Sequence, residues 1–249
     1  MIIKRIKLSI SAALLAAFVW TGTLQLSMAA DISMDHIADV EQLVTHAMTA
    51  GKLQPSEILV IFDVHGTLTS KRVPDQNPVI ARGKAVPLVQ RLHQQGVNLV
   101  ASSAWNEFRA PHDLGQLGLD EPFGCGKEST SGASTFKTHD GKEVKVNGYS
   151  NGNAVSIQDP QVDPRYFRQK ALAPYFVLGQ EKMNRIKQVI LVDDSAVNID
   201  YFKIDVQRFG LYPNVAIDYV TLSDPDRDPA GDLSHHKGQS SKPNETPRE

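Results

Sequence analysis

Three short apolar runs, each ending on polar residues, constrain this chain more than any other feature. Ile58–Phe62 leads into Asp63, Val97–Ala101 into Ser102 and Ser103, and Val189–Val192 into Asp193 and Asp194. Their length and β-branched content predict strands buried on both faces, as the strands of parallel sheets are. The spacing between them predicts helices. Residues 33–50 repeat Ile37, Val40, Leu43, Val44 and Met48 at helical intervals and stop at Gly51. Residues 84–95 set Val86, Val89 and Leu92 on one face, with Gly96 just past the end. Val197–Phe209 is amphipathic and closes at Gly210, and 215–222 supplies a fourth strand. Strands alternating with helices predict an α/β fold, a Rossmann-like three-layer sandwich around a mostly parallel sheet.

The middle of the chain is different in kind. Trp105–Leu119 reads as helical but interrupted at Pro111. Residues 120–160 hold many glycines, with Val144, Val146, Val155 and Ile157 marking short strands around turns. The expectation is an insertion of loops and a hairpin over 104–165, large enough for a small cap. A large cap cannot fit in the stretch 70–97. Asp163-Pro164 opens a further helix that Pro174 kinks or restarts. The 224–249 tail is poor in apolar residues and rich in Pro, Ser, Asp and Lys, which predicts disorder. One domain over 31–223 is expected.

Residues 1–30 have the layout of a secretory leader. Lys4, Arg5 and Lys7 precede the apolar stretch Leu8–Trp20, and Ser27-Met28-Ala29-Ala30 offers cleavage after Ala29 or Ala30. The expected location is the periplasm or the exterior, with no stable membrane insertion after cleavage. Loss of the leader removes three basic residues and no acids, leaving 23 basic against 28 acidic, a net charge of −5. A nucleic-acid partner usually needs a basic patch, and this balance argues against one. Cys125 is the only cysteine, so no internal disulfide can form. It reads as a structural thiol in the loop Gly124-Cys125-Gly126-Lys127.

If the apolar runs are parallel neighbours, their polar ends converge on one edge of the sheet. Clustered carboxylates repel unless a cation shares them, and an all-oxygen set suits a hard ion such as Mg²⁺. Ser102, Ser103 and the Gly66-Thr67 amides could donate to an anionic oxygen. At these residues the chain resembles the haloacid dehalogenase-like hydrolases. Phe62-Asp63-Val64-His65-Gly66-Thr67-Leu68-Thr69 is similar to that family's first motif, an apolar strand followed by D-x-D-G-T-L-T. Leu99-Val100-Ala101-Ser102 resembles the second. Ile190 to Asn198, with Asp193-Asp194, resembles the fourth. The third motif is a lysine upstream of the fourth, for which Lys170 is preferred and Lys182 held in reserve.

The resemblance implies a Mg²⁺-dependent phosphohydrolase acting on a small phosphorylated substrate. Asp63 would attack phosphorus and form an aspartyl-phosphate. The ion would be held by Asp63, the carbonyl of His65 and Asp194, with Asp193 or Asn198 in support. Ser102 and Lys170 would hold phosphoryl oxygens, and Gly66, Thr67 and Ser103 would contact substrate. His65 is the departure, because the family's phosphatases carry an acid/base Asp there. Three readings stay open. His65 performs the acid–base work; or the site is slow and retains the phosphoenzyme; or the scaffold is inactive and serves as an exported binding module. Trp105, Asn106 and Arg109 follow the second motif and could line the substrate mouth. His235-His236 reads as part of a solvated tail. Receiver domains share the residue types, but there the acid pair precedes the nucleophile.

Overall fold

The computed structural model describes residues 29–70, 79–103, 109–126, 128–138, 141–157 and 170–223. The expected leader (apart from Ala29 and Ala30), Trp105, Asn106, Lys127, the helix opening at Asp163-Pro164 and the 224–249 tail lie outside these residues.

Eight strands form one sheet: β1 (Ala29–Met34), β2 (Ile58–Asp63), β3 (Asn98–Ser102), β4 (Thr130–Lys137), β5 (Glu143–Asn151), β6 (Ala154–Ile157), β7 (Gln188–Asp193) and β8 (Ala216–Leu222). Their order is β1-β8-β7-β2-β3-β6-β5-β4. All neighbours from β1 to β6 pair parallel. Only β5 runs the other way, pairing antiparallel with β6 on one side and with β4 on the other. The helices are α1 (Val40–Thr49), α2 (Ala85–Gln94), α3 (Arg109–Gln116), α4 (Asp120–Phe123), α5 (Ala173–Met183) and α6 (Ala196–Phe209).

Period-two alternation on the central strands explains the three layers. Ile58, Val60 and Phe62 of β2 pack with α1 to α4 in one apolar cluster, while Leu59 and Ile61 pack with α5 and α6 in another. Every residue of β2 is buried, as its unbroken apolar run requires. Among the described residues, no helix is long and apolar enough to cross a membrane.

Two expectations need correction. Residues 33 and 34 are not helical but end β1, whose register runs from Ala29↔Ile217 to Met34↔Leu222. Pairing with β8 decides their conformation, and the helix begins only at Val40. Ala29 and Ala30, the expected cleavage positions, are the first residues of β1. Pro111 does not interrupt α3, because it sits in the first turn, where a backbone amide has no helical partner to lose. In the 104–165 segment, expected as an insertion of loops and a hairpin, the described residues form part of the sheet edge. The hairpin β4–β5 is present there, and β6 pairs directly with β3. The β5–β6 turn is pressed against the end of α4. A Cβ on Gly152 (φ +59°) would lie 2.3 Å from the Gly124 carbonyl oxygen. Only glycine permits that approach.

Candidate active site at the carboxyl ends of the strands

β2 delivers Asp63 to the sheet edge level with Ser102 of β3, its partner in register. The β2–β7 register pairs Phe62 with Val192, so the next residues outward are Asp63 and Asp193. Carboxylate oxygens of Asp63, Asp193 and Asp194 all lie within 4.8 Å of one another, and all three residues are buried. Adjacent parallel strands thus gather acids that the sequence separates by more than a hundred residues.

Lys170 places a cation inside this cluster. Its side chain is 2% exposed. The ammonium donates to Asp63 Oδ1 at 2.5 Å and also to Asp193 Oδ2. Lys182, the alternative for this role, is exposed in the last turn of α5. Lys170 lies in the turn just ahead of α5, which starts at Ala173 with Pro174 in its first turn. Burial alone would lower the Lys170 pKa, but the Asp193 and Asp63 carboxylates outweigh it and hold the ammonium above its ordinary value.

The two neighbouring acids are held differently. Asp193 Oδ1 accepts from the Ser195 amide and from Asn198 Nδ2, each at 2.9 Å, while Lys170 occupies Oδ2. Asn198 therefore acts here by donating its amide to Asp193. Asp63 is pushed up to about 7, first by burial and then by Asp193 and Asp194, with Lys170 pulling the other way. Among the described residues, three buried carboxylates gather here, with the Lys170 ammonium against two of them. That donor set fits a divalent, oxygen-preferring cation.

The first motif continues as a tight turn over Val64–Leu68. His65 (φ −88°, ψ 115°) and Gly66 (φ 92°, ψ −15°) take the two central conformations of a type II turn, which calls for glycine at the second. Thr69 N closes it on the Val64 carbonyl at 2.9 Å. Arg82 ties the Gly66 carbonyl to the Ser223 carbonyl at the end of β8. The Gly66 amide, expected to face substrate, instead donates to Thr69 Oγ1 at 3.3 Å. Among the described residues, Thr67 Oγ1 is buried without a hydrogen-bond partner. An orphaned hydroxyl of this kind costs about 1–3 kcal/mol and gains from an incoming acceptor oxygen.

His65 is buried and turned toward α3. Its Nε2 lies 2.9 Å from Asp113 Oδ2, and its Nδ1 lies 3.3 Å from Ser103 Oγ. Ser103, expected as a substrate contact, is thus directed at the imidazole. Burial holds the His65 pKa below its ordinary value, against the pull of Asp113. Asp113 escaped the sequence reading. The one signal was an acid beside Leu114 on the inward face of α3, and helices carry many acids. Arg109, expected near the mouth, ion-pairs with Asp113 at 3.6 Å. Burial pushes the Cys125 thiol up to about 11, which suits an inert structural thiol.

Comparison with protein-family models, with curated proteins and with solved structures returned no match. The functional reading therefore rests on the site itself.

Proposed function

We propose that this chain is a Mg²⁺-dependent phosphohydrolase that cleaves a phosphomonoester through an aspartyl-phosphate on Asp63. The observation that carries the reading is the buried group of Asp63, Asp193 and Asp194 with Lys170 bridging two of them. Asp63 and Asp194 would hold the ion, with Asp193 in support. Once bound, Mg²⁺ would offset charge on the transferring phosphoryl group.

The chain's own residues supply the rest. The Asp63 carboxylate attacks phosphorus in line, its P–O bond forming as the bond to the leaving oxygen breaks. Lys170, already against Asp63, stabilises the phosphoryl oxygens. Ser102, level with Asp63, and the orphaned Thr67 hydroxyl are further donors within the same edge. Water then attacks the phosphoenzyme and releases Asp63, with His65 as the nearby group able to carry a proton. The site belongs to a small phosphorylated substrate. The chain is read as exported, to the periplasm or beyond, on its leader alone.

The test is hydrolysis of p-nitrophenyl phosphate by the full chain with and without Mg²⁺, beside Asp63→Asn. Turnover that needs both the ion and Asp63 is expected. Equal rates for the wild type and Asp63→Asn overturn the proposal. Binding of beryllium fluoride without turnover would favour the exported binding module instead.

A further inference from the structure

The pairing of His65 with Asp113 belongs to none of the roles assigned so far, and its hydrogen bonds fix where the imidazole proton sits. Asp113 is buried, and as a carboxylate it only accepts. Its Oδ2 lies 2.9 Å from His65 Nε2, so that nitrogen carries a hydrogen. The far side of Asp113 also meets a donor. The Val79 amide donates to Gln116 Oε1 at 3.1 Å, which leaves Gln116 Nε2 as the donor to His112 Nε2 at 3.2 Å. His112 then has its hydrogen on Nδ1, and it points at Asp113 Oδ1, 3.0 Å away. Arg109 Nε approaches the same oxygen at 3.6 Å. Donors thus converge on Asp113 from α3 and from the first-motif turn. The remaining nitrogen of neutral His65, Nδ1, is an acceptor, and Ser103 Oγ lies 3.3 Å from it.

We propose that Asp113 is the positioning residue of this site: it holds His65 with its hydrogen on Nε2, so that Nδ1 exchanges protons with the reaction through the Ser103 hydroxyl. The inference rests on the phosphohydrolase reading above. During hydrolysis of the phosphoenzyme, the water oxygen bonds to phosphorus and the P–O bond to Asp63 breaks, returning the carboxylate. The water proton passes to Ser103 Oγ as the Ser103 hydrogen moves to His65 Nδ1. The imidazolium, paired with Asp113, later returns that proton through Ser103 to solvent. The arrangement is a Ser–His–Asp chain in which serine relays a proton and attacks nothing. Orientation by a buried carboxylate is the same service that the third member of a hydrolytic triad performs.

The experiment has two arms. In ¹⁵N-histidine spectra of the wild-type chain, His65 should show the hydrogen on Nε2 and a bare Nδ1. A resonance with the hydrogen on Nδ1 overturns the proposal, whatever the activity. In steady-state kinetics with p-nitrophenyl phosphate and Mg²⁺, Asp113→Asn and Ser103→Ala should each lower kcat on the order of 100-fold. KM should stay within about two-fold, because neither residue is assigned to substrate. Asp113→Glu, which keeps the carboxylate, should recover part of the loss. Wild-type kcat in Asp113→Asn, with Asp63→Asn inactive, overturns this inference and leaves the phosphohydrolase reading standing. Undiminished turnover in Asp63→Asn overturns both.

Discussion

Two buried clusters share one edge of the sheet and are built on opposite principles. At the ends of β2 and β7, the carboxylates of Asp63, Asp193 and Asp194 crowd together, with the Lys170 ammonium against two of them. At the end of β3, His65 sits between Ser103 and Asp113 with both ring nitrogens engaged. The first cluster crowds like charges and gains from a cation. The second is already satisfied by neighbours and is suited to holding a proton in place. Four residues along α3 from Arg109, Asp113 separates the two jobs: it gives the imidazole a carboxylate of its own.

The sharpest way to break this contrast is to remove charge from the first cluster. Asp63→Asn should lower turnover by at least about a thousand-fold, since the nucleophile is lost. Its Tm should be unchanged or higher in Mg²⁺-free buffer, because a buried and poorly compensated carboxylate has gone. A lower Tm together with retained turnover would count against the cluster as described.

His65→Asp is the exchange the family resemblance invites, and the structure argues that it fails alone. It would set a carboxylate against Asp113, where two acids cannot both ionise cheaply. Turnover should fall on the order of 100-fold, and the double variant His65→Asp/Asp113→Asn should regain most of it. Matching kinetics for the single and double variants would show that Asp113 does not face position 65.

A smaller effect should appear in pH-dependent stability. The folded pKa of Asp63 is raised from 3.8 to about 7, so the fold favours the protonated acid. Its contribution to stability is fully present below about pH 4, fades as pH rises toward 7, and is absent above. A divalent ion needs the carboxylate, so Mg²⁺ should raise Tm more at pH 8 than at pH 5.5. At ten times its Kd the ion adds about 1.4 kcal/mol. Differential scanning fluorimetry at the two values decides it; equal shifts would place the ion elsewhere. The smallest change expected is Thr67→Val, which removes an orphaned hydroxyl and should leave stability equal or improved by about 1 kcal/mol. A marked drop in Tm would mean that the hydroxyl is already satisfied.

The same contrast explains what the sequence could tell. The acid cluster was legible because each member ends an apolar strand, and parallel pairing fixes where strand ends meet. Lys170 was readable only as one of two lysines; its burial beside Asp63 depends on how the chain enters α5. The histidine's surroundings were hidden. Ser103 lies one residue past β3, and its contact with His65 depends on how the first-motif turn packs beside it. Asp113 reaches His65 only through the packing of α3, and no local spacing encodes a contact 48 residues long. β1 was misread for a related reason: its conformation comes from β8, nearly two hundred residues away.

The most direct test of the central claim is to look for phosphate on Asp63. The His65→Ala chain, incubated briefly with p-nitrophenyl phosphate and Mg²⁺, is quenched in acid and its peptides are mapped by mass spectrometry. The account predicts a phosphorylated peptide at Asp63 that disappears with a chelator and in Asp63→Asn. Mg²⁺-dependent wild-type turnover with no phosphate ever found on Asp63, or phosphate carried by another residue, would contradict it.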